Sequence, residues 1–248
     1  MSEVSHGHAV VIGGTMGLGK AVVGQFLARG LHVTIVSRRP PVASEPTGTL
    51  RHVAADLEAM TKADDLVAQV VTGGPIRYLA FCQRYRGTGD VWQGELQVSV
   101  TATRILIDGF AGSFDSSHDR AIVVASSVYA NFTGSTQPDA YHVAKAGLNQ
   151  LVRYNARVLG RRGIRINAIM PLTYMKPESR AFYQSEPQTG FYERLVPLGR
   201  VGDVVDSANL MDFLCSEKAS FITGQTIYVD GGVSALWPEE VAHRFSER

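Results

Sequence analysis

Seven short apolar runs rich in β-branched residues recur along this chain, each separated from the next by a longer segment: His8–Ile12, His32–Ser37, Leu50–Ala54, Arg77–Cys82, Ala121–Ser126, Arg165–Ile169 and Gln225–Val229. A strand covered on both faces reads as a continuous apolar run, and parallel neighbours need a crossover long enough to hold a helix. Most of the intervening segments supply one, with apolar positions at three- and four-residue spacing in Gly19–Arg29, Lys62–Val71, Gln93–Phe110, Tyr141–Gly160 and Val204–Cys215. The pattern predicts an α/β fold, a doubly wound three-layer sandwich around a seven-stranded parallel sheet. A length of 248 residues suits one domain of this kind, 1–248, with no internal repeat or low-complexity tract. Two segments read as irregular. Arg39–Thr49 is rich in Pro, Ser, Thr and Gly, and Leu172–Gly202 holds Pro177, Pro187 and Pro197 and is long enough to serve as a lid over a binding site, spanning 172–202.

Lys and Arg total 24 against 23 Asp and Glu, a net charge of +1, so no cationic footprint argues for nucleic acid. No run approaches the roughly 18–20 apolar residues of a membrane span, and Met1-Ser2-Glu3-Val4-Ser5-His6 lacks the charged and apolar regions of a signal peptide. The expectation is a soluble, cytoplasmic protein without a membrane partner. Cys82 and Cys215, the only cysteines, cannot build a disulfide framework. The seven histidines show no metal-ligand spacing apart from His6 and His8, which fall near a terminus expected to be mobile, so no metal is expected.

Gly13-Gly14-Thr15-Met16-Gly17-Leu18-Gly19 follows Val10-Val11-Ile12 and opens a helical pattern. A dinucleotide's diphosphate reaches backbone N–H groups in such a place, at a helix N-terminus. Gly13, Gly17 and Gly19 form GxxxGxG rather than GxGxxG, with Thr15, Met16 and Leu18 completing the turn. The next strand ends in Ser37-Arg38-Arg39. Arg38 stands near where an acidic residue would bond the ribose hydroxyls of NAD, and a guanidinium there pairs instead with a 2′-phosphate. The expected cofactor is therefore NADP(H), with Arg38 the main discriminator, Arg39 a second, and Ser37 beside them. Two arginines at a strand end also suit a solvated surface; the turn upstream favours the cofactor.

Tyr141-His142-Val143-Ala144-Lys145 places a phenol and an ammonium on one helical face. Carbonyl reduction needs a hydride at carbon and a proton at oxygen. A nearby ammonium favours the phenolate form of a tyrosine, so Lys145 can assist Tyr141 as proton donor. Ser127, with Ser126 as the competing choice, can hold the substrate oxygen. An amphipathic surface helix shows the same Tyr–Lys spacing, but here it occurs with the serine and the glycine turn. His142 is turned about 100° from Tyr141, which points to a packing or interface role.

These motifs, taken in order, resemble the short-chain dehydrogenase/reductase family. The match extends through Asp56-Leu57, Ser126-Ser127-Val128, Arg165-Ile166-Asn167-Ala168-Ile169-Met170-Pro171, Pro197-Leu198-Gly199-Arg200, Ile222-Thr223-Gly224-Gln225 and Val229-Asp230-Gly231-Gly232. The resemblance implies a Rossmann-type fold, Asp56 and Leu57 against the adenine, Lys145 on the nicotinamide ribose, Cys82 and Pro171 beside the cofactor, and a homotetramer or homodimer. Three departures stand out. Phe81-Cys82-Gln83-Arg84 replaces the usual Asn-Asn-Ala-Gly, Ser99 replaces the catalytic Asn that anchors a relay water, and Leu172 replaces the Gly after Pro171.

Tyr174, Met175, Phe182, Tyr183, Phe191 and Tyr192 in the lid segment, with Tyr129 and Phe132, suit an apolar, cyclic or aromatic carbonyl substrate, and equally suit lid packing or a subunit contact. Arg84, Tyr85 and Arg86 could meet a substrate carboxylate or phosphate, or be solvated loop residues. The sequence thus reads as an NADPH-dependent, ketoreductase-like oxidoreductase. Two alternatives are an NADP(H)-sensing binding protein on the same scaffold, and an epimerase or dehydratase with retained cofactor.

Overall fold

The computed structural model describes residues 7–41 and 49–246. Along the chain run β1 (His8–Ile12), α1 (Gly17–Ala28), β2 (His32–Ser37), β3 (Leu50–Ala54), α2 (Asp64–Val71), β4 (Ile76–Phe81) and α3 (Val91–Glu95). A π-helical segment, Leu96–Thr101, joins α3 to α4 (Ala102–Phe110), followed by β5 (Arg120–Ala125), α5 (Asp139–Gly160) and β6 (Ile164–Pro171). Then come β7 (Tyr174–Met175), α6 (Arg180–Tyr183), α7 (Glu186–Leu195), β8 (Gly202–Asp203), α8 (Val204–Leu214), β9 (Thr226–Val229) and α9 (Pro238–Ser246). The main sheet is wholly parallel in the order β3-β2-β1-β4-β5-β6-β9, while β7 and β8 pair separately.

Side chains alternate across this Rossmann-type sheet and fill two cores. Val10, Ile12, Leu79, Phe81, Ile122 and Val124 face α2, α4 and α5, whereas Ala9, Val11, Val33, Ile35, Ala80 and Val123 face α1 and α8. Full burial of a side chain such as Phe26 or Ile122 stabilises by roughly 1.5–3 kcal/mol. At the N-terminal end of the sheet, buried Arg165 forks onto Asp119 at 2.9 Å and donates to the carbonyls of Leu214 and Ser216. That fork joins β6, the approach to β5 and the end of α8.

Several expectations need correction. The helix expected over Gln93–Phe110 begins at Val91 and passes through the π-helical segment, a feature that apolar periodicity alone does not reveal. Leu172–Gly202 is not irregular throughout: it holds β7, α6, α7 and β8. Pro187 sits in the first turn of α7, where a missing N–H costs nothing, so this proline starts a helix instead of breaking one. Of Arg39–Thr49, residues 42–48 lie outside those described, as does His6. His8 is not at a mobile end but is buried in β1; its Nδ1–H donates to the Gly74 carbonyl at 2.9 Å, leaving Nε2 to accept from the Thr34 hydroxyl at 2.8 Å. Helix α9 was not anticipated.

Burial pushes the His8 pKa below its ordinary value, with the charges of Arg51 and His32 adding to it against the pull of the Gly74 carbonyl. The unfolded chain therefore takes up a proton at this site before the folded one does. Stability is complete above the unfolded pKa, about 6.5, and declines as pH falls through the lower folded value. Thermal melts across roughly pH 7.5 to 5 should show a declining Tm whose slope is reduced in His8→Gln; equal slopes would contradict this assignment.

Candidate active site

Strand order reverses beside β1, so the C-terminal ends of β1 and β4 splay their connections apart and open a crevice. The Gly13–Met16 turn leaves β1 on one side and Cys82-Gln83-Arg84 leaves β4 on the other. The two backbones are tightly apposed: Gly13 has φ +81°, and a Cβ there would stand 2.7 Å from the Gln83 nitrogen. A Cβ at Gly19 would collide with the Gly13 carbonyl, which holds the turn against the first turn of α1. This close approach leaves the helix start open to an anion.

The crevice has two lobes that share Met16, Cys82, Gln83, Arg84 and Arg86. The first, about 570 Å³, brings Gly13 and Thr15 together with Ser37, Arg38, Arg39, Asp56 and Leu57. Arg38 is half exposed and pairs with Glu58 at 3.0 Å, a partner that spacing alone did not indicate. Ser37 donates to the Arg39 carbonyl at 2.7 Å and fixes the strand exit. The second lobe, about 480 Å³, contains Gly17, Leu18, Ser127, Tyr141, Lys145 and Pro171. The glycine-lined turn and the continuous cleft fit a pyridine dinucleotide.

Lys145 is buried, and its Nζ donates to the Ala125 carbonyl at the end of β5 at 2.9 Å. In return the Ser126 hydroxyl donates to the Lys145 carbonyl at 3.1 Å. The two bonds clasp strand to helix and commit Ser126 to the scaffold. Ser127 comes next and faces the lobe, its Oγ accepting the Tyr129 N–H at 3.2 Å. Two cations lie near the Tyr141 ring, Lys145 Nζ 5.3 Å and Arg84 Cζ 5.2 Å from its centroid. His142 packs instead of facing the lobe: it stacks on Tyr129 at 4.7 Å, bonds the Pro138 carbonyl and accepts the Gly134 N–H, bracing the segment after Ser127. The walls are poorly solvated. Burial pushes the Cys82 thiol up to about 12 despite the Lys145 charge, and pushes the Tyr174 phenol up to about 12.

Not every expected residue reaches the cavity. Ser99 is buried in the π-helical segment, its hydroxyl 3.4 Å from Glu95 Oε2, and it lines neither lobe. Glu95, one turn earlier on the same face, was overlooked; burial raises its pKa, and Lys145, Arg84 and the Ser99 hydroxyl oppose that rise. Of the aromatics, Tyr129, Tyr174 and Tyr183 line the second lobe. Phe191 packs on Tyr192 and on Phe245 of α9, Phe182 packs on Tyr183, and Phe132 packs on Tyr228. Leu172 donates its N–H to Val229, and no non-glycine residue among those described has positive φ. Lys176, also overlooked, reaches the same lobe from the segment 172–202.

Comparison with known proteins agrees with this geometry. A family described as Enoyl-(Acyl carrier protein) reductase matches residues 13–234. A 3-oxoacyl-(acyl-carrier-protein) reductase from Aquifex aeolicus is 30% identical over 91% of this chain and 96% of its own. The dehydrogenase/reductase SDR family member 4 of Mus musculus is 26% identical, covering 93% of this chain and 88% of its own. Among solved structures, a short-chain type dehydrogenase/reductase from Mycobacterium ulcerans superposes with a TM-score of 0.78 at 28% identity, covering 92% of this chain and 90% of its own. With the family match running from the glycine turn to beyond the last strand, the chain belongs to the short-chain dehydrogenase/reductase family of oxidoreductases.

Proposed function

We propose that this protein is an NADP(H)-dependent, ketoreductase-like enzyme that interconverts a small carbonyl compound and its alcohol. The observation that carries this reading is the convergence of Ser127, Tyr141 and Lys145 on one lobe of a cleft whose other lobe holds Arg38 and Arg39. When bound, the cofactor supplies or accepts the hydride. The protein's part is to hold the substrate and move the proton. The Ser127 hydroxyl donates to the carbonyl oxygen and fixes the carbon for attack. The Tyr141 phenol passes its proton to that oxygen as negative charge develops there, giving the alcohol. Lys145, fixed by Ala125, stabilises the phenolate left behind and would bond the nicotinamide ribose.

Around this centre, Thr15, Met16, Gly17 and Leu18 would bind the diphosphate, Asp56 and Leu57 the adenine, and Cys82 and Pro171 would flank the nicotinamide. Ser99 is assigned a supporting role beneath the cavity. Residues 1–248 form one catalytic unit in this reading, with 172–202 as its substrate lid. Tyr129, Tyr174 and Tyr183 favour a substrate with an apolar or ring-bearing body. Val143, Tyr154 and Val158 lie exposed along one side of α5 and support a homodimer or homotetramer.

Tyr141→Phe should lower kcat by about 10²-fold or more while leaving the NADPH Kd within about twofold. Retained turnover would place the acid elsewhere; NADPH binding by the parent protein without turnover of cyclic ketones, quinones or acyl carbonyls would make it a binding protein. Glu58 occupies the guanidinium that a 2′-phosphate requires. Glu58→Gln should therefore tighten NADPH binding by up to about fivefold, and Arg38→Asp should shift preference toward NADH. Unchanged NADPH and NADH affinities in both variants would overturn the NADP(H) assignment.

A further inference from the structure

We infer that the substrate carries an oxyanion, a carboxylate or phosphate, within a few bonds of its carbonyl, and that Arg84, aided by Arg86, binds it. This deepens the reductase reading and rests on it. Four cations, Arg84, Arg86, Lys145 and Lys176, line the catalytic lobe, whereas Glu178 is its single lining carboxylate. Lys145 is already engaged by the Ala125 carbonyl. The other three side chains have no ion-pair partner among the described residues.

Arg84 is held in place. Its Nη2 donates to Gln137 at 2.6 Å, and its guanidinium lies 5.2 Å from the centroid of the Tyr141 ring. Only one of its five N–H donors is used among the described residues, so the fork retains bidentate capacity toward an oxyanion. Lys176 approaches from the lid, its Nζ 5.8 Å from the Tyr174 ring centroid. Burial lowers the Lys176 pKa, and repulsion from Arg86 and Arg84 lowers it further, against Glu178. Lys176 therefore stands within electrostatic reach of both arginines, and a bound anion relieves that opposition.

The cofactor diphosphate is the competing partner for these charges. Its expected seat is the start of α1, where the Lys176 chain passes 3.8 Å from the Cβ position of Gly17. Arg84 and Arg86 also border the cofactor lobe, but Arg84 directs its Nη2 at Gln137 and its guanidinium at Tyr141, both of which line only the lobe where the carbonyl would sit. The two cations thus have separable roles, with Arg84 as the specificity determinant.

The test uses the full-length protein saturated with NADP+, titrated calorimetrically with benzoate, phenyl phosphate and neutral benzamide. In parallel, kcat/KM is measured with NADPH for benzoylformate and for its methyl ester. At least one anion should bind about tenfold or more tightly than benzamide, and benzoylformate should exceed its ester by a similar factor. Arg84→Gln and Arg84→Met should erase both preferences, while Arg84→Lys should restore part of them. The proposal is overturned if anion and neutral probe bind alike, or if the variants weaken NADPH binding without changing the acid-to-ester ratio. Calorimetric preference with no turnover of any carbonyl would uphold the anion site and reject the reductase reading.

Discussion

A buried ammonium joins the end of one strand to the second turn of one helix, and the geometry of the proposed catalytic site depends on that junction. Lys145 is locked to the Ala125 carbonyl while Ser126 returns a hydrogen bond to the Lys145 backbone. Neither bond is available to a chain in which β5 or α5 has slipped by one residue. A buried cation without such a partner would be strongly disfavoured. The clasp therefore fixes register, and register in turn places Ser127 and Tyr141 on the same cavity. Breaking it would displace the proposed proton donor as well as its cationic neighbour.

The cleft itself is a consequence of sheet topology. Winding outward from β1 to β3 and returning to β4 leaves two connections diverging from adjacent strand ends, and only glycine at position 13 allows them to approach as closely as they do. The same ends present opposite chemistry: open backbone at the start of α1, and side chains from Cys82 to Arg86 beyond β4. Replacing small residues by Gln83 and Arg84 thickens the second wall and brings positive charge to it, so the departures from the family pattern have a location and a chemical consequence.

Much of this was legible in the chain. Continuous β-branched runs identify strands covered on both faces, and the Tyr141–Lys145 spacing identifies a shared helical face because both signals are local and periodic. What escaped depends on tertiary contact. The π-helical segment has an ordinary apolar pattern; Pro187 reads as a breaker until its place in a first turn is known; His8 resembles a terminal histidine until Thr34 and Gly74 close around it. Glu58 and Lys176 are distant in sequence from the residues they meet. Glu95 could have been found, since it stands one turn before Ser99, but a carboxylate on an amphipathic helix ordinarily faces water.

Electrostatics unite these features: a buried lysine beside a phenol, arginines in both lobes of the cleft, and few carboxylates among its lining residues. The most direct measurement is a crystal structure of the protein with NADP+ bound. The expected result is a nicotinamide ring in the catalytic lobe with its C4 toward the Tyr141 hydroxyl and Ser127, and a 2′-phosphate on Arg38 in place of Glu58. A nucleotide seated outside this cleft, or a Tyr141 side chain turned away from the nicotinamide, would contradict the assignment of the proton donor.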